Sequence, residues 1–218
     1  MITVKKPINN FGSDNDSRNF YSYSEEVLNF LTYIANEYFY CVDSKDVLEI
    51  GPATGWFTHA LLEINPKSLT LVESFDPFFA ELNHKFNNIN SVKLLKDDIY
   101  HYLIVEKPKF DVVIALGVIY HFTDPIGFLE RIVNFCQPEY LILDSPDGNL
   151  SIVSEPGNPG DRQISSNYKS SQLTVTIPVE IQKEIMYNYG YELIKSEDLS
   201  RFDIQSKEET IIMLFKKI

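Results

Sequence analysis

Cysteine is scarce in this chain, whose 218 residues hold two, Cys41 and Cys136. Each stands beside apolar neighbours and neither belongs to a CxxC pair, which argues against a disulfide-stapled scaffold or a thiolate metal site and leaves two ordinary buried thiols. Long hydrophobic runs are missing too: nowhere do eighteen apolar residues follow one another, so a membrane-spanning helix is not expected. The opening Met1-Ile-Thr-Val-Lys-Lys-Pro has no apolar stretch of signal-peptide length, and the expectation is a cytoplasmic enzyme or binding protein with no membrane partner. Positive charge is in short supply, with 19 Lys and Arg against 31 Asp and Glu and a formal charge of −12. The cations are scattered through Lys5, Arg18, Lys93, Arg131, Arg162 and Arg201 rather than gathered. Affinity for a polyanion comes from neutralised phosphates, so this balance disfavours nucleic acid and favours a small-molecule acceptor. The four histidines show no metal-ligand spacing, no repeat of solenoid length occurs, and nothing sets an oligomeric state.

What is present suffices for a substantial core: 44% of residues are hydrophobic and 13% aromatic. The length fits one domain over residues 1–218. Residues 1–23 read as an N-terminal arm, rich in turn formers from 9 to 19. An amphipathic helix follows over 24–40, where Ser24 and two glutamates precede apolar residues at helical spacing. Apolar runs recur at Asp46 to Ile50, Leu69 to Glu73, Val92 to Leu95, Phe110 to Leu116 and Tyr140 to Leu143. Helix-like stretches lie between several of them, at Trp56 to Glu63, Pro77 to Asn87 and Pro125 to Phe135. Pro178 to Tyr189 reads as a further helix stopped by Gly190, and strands at Tyr191 to Ile194 and Thr210 to Phe215 close the chain. The alternation implies an α/β three-layer sandwich with a mostly parallel, seven-stranded sheet, whose last strand runs antiparallel because no crossover helix precedes it. Residues 145–172, dense in Ser, Asn, Gly and Pro, are expected to form a loop at the ligand-binding edge, a candidate substrate lid.

The most informative segment is Val47-Leu-Glu-Ile-Gly51-Pro-Ala-Thr-Gly55-Trp-Phe57, a buried strand, a glycine turn and a helix start. Gly51 allows a tight bend and close backbone approach, and Gly55 allows close packing where the helix begins. The GxGxxG pattern that seats a pyrophosphate is absent, since Pro52 and Ala53 follow Gly51. Glu49 just before the turn suits a cationic ligand and repels a diphosphate. The plain alternative is a glycine turn of any α/β protein with Glu49 solvated. Glu73 ends the next strand, where a carboxylate can accept both hydroxyl hydrogen bonds of a ribose; a carboxylate at a strand end is also common without a ligand.

Together these segments resemble the class I methyltransferases that use S-adenosylmethionine, a Rossmann-like family whose first motif ends a strand with an acidic residue and Gly-x-x-x-Gly. Leu94-Leu-Lys-Asp97-Asp98-Ile99 resembles the family's third motif, which implies that Asp98, rather than Asp97, accepts from the adenine amino group and that Ile99 covers the ring. A solvated Asp-Asp turn is the alternative. Phe110 to His121 resembles the fourth motif, and Gly117-Val-Ile-Tyr-His-Phe-x-Asp-Pro is similar to the branch containing tRNA wobble-uridine modifying enzymes and related small-molecule enzymes. The resemblance covers roughly residues 44 to 145. It implies that Leu116 and Gly117 lie against the amino-acid part of the cofactor and that Tyr120 and His121 stand at the mouth of the cleft.

Methyl transfer from a sulfonium is an in-line displacement that asks mainly for positioning. For a hydroxyl acceptor His121 is the candidate general base; otherwise it fixes its loop. Tyr21, Tyr23 and Trp56 are aromatic candidates for stacking, though core packing explains them equally. Tyr120 and Arg162 are the candidate substrate contacts, with Tyr168 and Lys169 near Arg162 in the same segment. The expected function is methyl transfer from S-adenosylmethionine to an O, N or C nucleophile on a small molecule; an RNA-modifying methyltransferase and a non-catalytic methyltransferase-like binding subunit are the alternatives.

Overall fold

The computed structural model describes residues 1–7, 23–146, 151–155, 172–202 and 210–218, with 151–155 and 172–174 described in backbone only. Strands β1 (Asp46–Ile50), β2 (Ser68–Glu73), β3 (Val92–Lys96), β4 (Val112–Ala115) and β5 (Tyr140–Pro146) are the five apolar runs. β8 (Tyr191–Asp198) and β9 (Thr210–Lys217) complete a seven-stranded sheet of order β3-β2-β1-β4-β5-β9-β8. The first five are parallel, and β9 pairs antiparallel with both β5 and β8. This is the expected architecture, with the strand order reversing beside β1, where open α/β sheets bind ligands.

Side-chain alternation along each strand divides the interior in two. Val47, Leu69, Leu71, Val112, Ile114, Ile142, Ile212 and Leu214 pack with α1 (Glu25–Glu37), α2 (Trp56–Leu62) and α3 (Asp76–Phe86). Leu48, Ile50, Val72, Val113, Ala115, Leu141, Leu143, Met213 and Phe215 pack with α4 (Ile99–Glu106), α5 (Pro125–Arg131) and α6 (Val179–Asn188). With both faces covered, the central strands carry almost unbroken apolar runs, as a parallel sheet requires. Lys93 and Lys96 are exposed on edge strand β3, where charge discourages pairing with another chain.

Local chemistry sets the helix starts. The Ser24 hydroxyl accepts from Val27 N at 3.3 Å, and Glu25 and Glu26 complement the positive end of α1. Asp98 caps α4, Asp124 caps α5 ahead of Pro125, and Pro178 opens α6. α5 continues beyond Arg131 as a π-helical turn, Ile132–Cys136.

Two elements depart from expectation. α4 was not anticipated because Ile99-Tyr-His-Tyr-Leu-Ile-Val is apolar on most sides, exposing Ile104 and Val105, and so shows no polar stripe. The loop expected over 145–172 is also partly ordered sheet. Ser145 and Pro146 extend β5, and β6 (Ser151–Glu155) pairs antiparallel with β7 (Gln172–Thr176) as a separate two-stranded ribbon. Short strands among Ser, Asn and Gly lack the alternation that signals a half-buried strand. The remaining residues of the candidate lid, 147–150 and 156–171, lie outside the described residues, as do Tyr21, Arg162, Tyr168 and Lys169.

Candidate functional site

Parallel strands deliver their C-terminal ends to one edge of the sheet, and there the predicted residues of β1, β2 and β4 meet. After β1 the chain coils tightly: Gly51, Ala53 and Gly55 all have positive φ, at 61°, 50° and 86°. Gly51 N donates to Val72 O of β2 at 3.0 Å, and Gly55 N closes the turn on Pro52 O at 2.8 Å. A Cβ on Gly51 would lie 3.0 Å from Val118 Cγ2, so a side chain there would fill the space between the turn and the loop after β4. Ala53 bears a left-handed strain of about 1–2 kcal/mol, and its N–H is directed to Glu73 Oε2 at 3.1 Å. That bond ties the β1 turn to the β2 tip.

Two carboxylates flank the turn. Glu49 is 3% exposed and accepts from the Thr58 hydroxyl at 2.7 Å. Burial pushes its carboxyl up to about 8, partly offset by the Thr58 bonds and reinforced by the charge of Glu73. Glu73 is 6% exposed and accepts from Ala53 N and from Phe75 N at 2.8 Å. Burial raises its carboxyl too, while the amides of Phe75, Ala53 and Ser74 pull it back down. Both Glu73 oxygens are therefore committed as acceptors, with lone-pair capacity still to spare. Glutamine can supply only one acceptor oxygen to these two amides. Glu73→Gln is expected to lower stability by about 1–3 kcal/mol and to loosen the turn, read as a fall in urea midpoint; an unchanged midpoint would show that these amides do not need the second oxygen.

The other positions divide. Asp98 is exposed and its Oδ1 accepts from Tyr100 N and His101 N at 2.9 and 3.2 Å, so one oxygen caps α4 while Ile99 behind it is buried. Asp97 holds Asp98 N and His101 Nδ1. Leu116 is buried, and Gly117, at φ 74°, donates its N–H to Asp144 at the tip of β5. A 3-10 turn, Ile119–His121, then sets the half-buried Tyr120 ring 4.5 Å from the exposed His121 ring. The segment carrying them is anchored from α4 and α5: Tyr100 OH of α4 donates to Asp124 O at 3.2 Å, and Phe122 stacks on Phe128 of α5.

Sequence inspection missed Thr58 and Asp144. Asp144 is fully buried and ends an apolar run as Glu73 does, which is the signal that marks it. Tyr23 packs edge-on against His59 at 5.5 Å and lies 6.5 Å from Trp56, and His59 Nε2 meets Lys5 O, so the aromatic candidates that are described pack against α2. Among the described residues no His, Cys, Asp and Glu group could hold a metal, and no helix is long and apolar enough to cross a membrane.

A twice-acidic, glycine-bent berth at the crossover of a seven-stranded α/β sheet suits an adenosyl sulfonium. No described Lys or Arg pairs with Glu49 or Glu73, and Gly51 keeps the berth free of a Cβ. A family model described as "Methyltransferase domain" matches residues 16–173, and the chain belongs to that family of Rossmann-like enzymes that use S-adenosylmethionine. The tRNA U34 carboxymethyltransferase of Nautilia profundicola is 41% identical over 111 residues, 48% of this chain and 35% of that protein. The ribosomal RNA small subunit methyltransferase A of Prochlorococcus marinus is 30% identical over 124 residues, 55% of this chain and 45% of that one. The chain thus spans about a third of the length of the tRNA-modifying relatives it matches. Among solved structures, magnesium protoporphyrin IX methyltransferase from Synechocystis with bound S-adenosylhomocysteine has a TM-score of 0.62 at 14% identity, covering 88% of this chain and 82% of that one. The 1,6-didemethyltoxoflavin-N1-methyltransferase of Burkholderia thailandensis has a TM-score of 0.63 at 15% identity, covering 93% and 82%.

These relatives correct the partner expectation. A small-molecule acceptor with nucleic acid disfavoured does not stand beside curated relatives that carry tRNA in their names. Net charge sums over the whole surface, whereas a polyanion meets one face of it.

Proposed function

We propose that the chain is the catalytic domain of an RNA-modifying methyltransferase that works in the cytoplasm on a base of a structured RNA. The supporting observation is the pair of buried carboxylates, Glu49 and Glu73, bracketing the Gly51–Gly55 turn, in a chain whose similar curated proteins act on tRNA and ribosomal RNA by name. When bound, S-adenosylmethionine supplies an electrophilic methyl group. The chain's own residues hold and orient. Glu73 accepts the ribose hydroxyls on its spare lone pairs, and Gly51 and Gly55 let the backbone approach. The uncommitted oxygen of Asp98 accepts from the adenine amino group, Ile99 covers the ring, and Leu116 and Gly117 border the amino-acid end. Asp144 grips Gly117 N–H and so fixes the start of the segment that carries Tyr120 and His121. The exposed His121 imidazole takes the proton of an O–H or N–H acceptor, and the carboxylate lining favours a methyl over a carboxymethyl donor, because a second anion would meet Glu49 and Glu73.

The test is transfer of isotope-labelled methyl from S-adenosylmethionine to total tRNA and to ribosomal RNA, with nucleosides identified by mass spectrometry. A labelled base in one pool is the expected result. Tight cofactor binding with neither pool labelled would defeat the RNA assignment and leave a binding subunit.

A further inference from the structure

Glu49 and Glu73 are unequally served. Glu73 accepts backbone amides from three residues, Phe75 at 2.8 Å and Ala53 at 3.1 Å with Ser74 beside them, whereas Glu49, the more deeply buried, has the hydroxyl and amide of one residue, Thr58 of α2. Its surroundings hold no free cation among the described residues. The strand neighbours in register with it are Leu71 of β2 and Ile114 of β4, both apolar. Beyond them, β2 contributes Glu73, a like charge. The segment before α1 contributes the Tyr23 phenol, which burial and the charges of Glu81 and Glu49 hold neutral. α3 contributes Glu81 and Lys85, and Lys85 is already spent on Glu81 at 2.5 Å and on Thr54 O at 2.7 Å. His59, one residue past Thr58, is turned to Lys5 O. Two carboxylates in one dry site without a counter-cation do not both ionise cheaply.

Resting on the assignment of this berth to S-adenosylmethionine, we propose that Glu49 couples cofactor capture to proton release: its carboxyl is neutral in the ligand-free protein and surrenders its proton to solvent as the cationic ligand enters. The balance is simple, because the O–H bond of the carboxylic acid breaks, the proton passes to buffer, and the carboxylate left behind faces the arriving positive charge. The elevated carboxyl of Glu49, at about 8, sets the range over which this operates. The sign follows from the same elevation. Between about 4.5 and 8 the folded ligand-free chain binds more protons than the unfolded one, so its stability is full at the acid end and declines as pH rises toward 8. The ligand is expected to reverse that decline.

Calorimetric titration of the full chain with S-adenosylmethionine at pH 6.5, in buffers of different ionisation enthalpy, reads the proton count directly. At that pH the ligand's own amino group, with a pKa of about 8, stays protonated. About one proton should be released per ligand bound, with the dissociation constant tightening up to about tenfold per pH unit below 8. Methylthioadenosine, which lacks both positive charges, should bind without release. Glu49→Gln keeps an acceptor for Thr58 and should abolish release and flatten the pH dependence; should that variant misfold, the wild-type buffer series decides alone. Measurable binding with no proton exchange overturns the coupling and spares the berth. Absence of binding overturns both.

Discussion

Gly55→Ala is expected to cost about 2–5 kcal/mol of stability, the sum of a left-handed backbone penalty of about 1–2 kcal/mol and an overpacking term of about 1–3 kcal/mol. The added Cβ would lie 2.5 Å from Phe86 Cε2, 3.0 Å from Phe86 Cζ and 3.1 Å from Leu82 Cδ2. Those side chains are buried in the core under α1–α3 and cannot swing into solvent. Gly190 supplies the control. It has a similar φ of 79° and nothing within 4 Å of its own would-be Cβ, so Gly190→Ala should cost the backbone term of about 1–2 kcal/mol alone. Denaturant unfolding of both variants isolates the contact with Phe86, and adding Phe86→Leu to Gly55→Ala should return part of the loss. Equal costs at the two glycines would show that α3 yields freely and that the turn is not held by packing. Because α3 shifts together with the turn, cofactor affinity should fall with stability in Gly55→Ala and stay put in Gly190→Ala.

His121→Ala is expected to slow methyl transfer by about 10²–10⁴-fold while leaving the cofactor dissociation constant within about twofold, a margin of about 0.4 kcal/mol. The ring is exposed and in contact with Tyr120, at the end of the short turn Ile119–His121, so its removal opens no cavity. Base catalysis also predicts that the variant loses a limb of the pH–rate profile that the unsubstituted chain shows. A variant that keeps both rate and pH profile would reassign His121 to holding its loop.

The strands were legible because each concentrates apolar residues, three to six of them, in a short run between polar segments; Asp46–Ile50 matches to the residue. The helix over Ile99–Glu106 was hidden by its own composition, since an element apolar on most sides has no period to detect. Glu49, Gly51, Gly55 and Glu73 could be read because their relation is local, a strand end against the turn that follows it. Asp144 and Thr58 acquire their roles across the fold: Asp144 meets an amide 27 residues away, and Thr58 meets a carboxylate across a bend. The acceptor class was misjudged for a similar reason. A charge of −12 describes a total, and recognition depends on where each charge is displayed.

The antiparallel register of β5 with β9 runs from Tyr140↔Lys216 to Pro146↔Thr210, so β5 stays paired to its last residue, beyond which the chain leads to the separate β6–β7 ribbon. Length in such an excursion enters stability logarithmically, at about 0.6 kcal/mol per doubling. Segments of quite different length can therefore be carried at this junction at little cost to the seven-stranded sheet beside it.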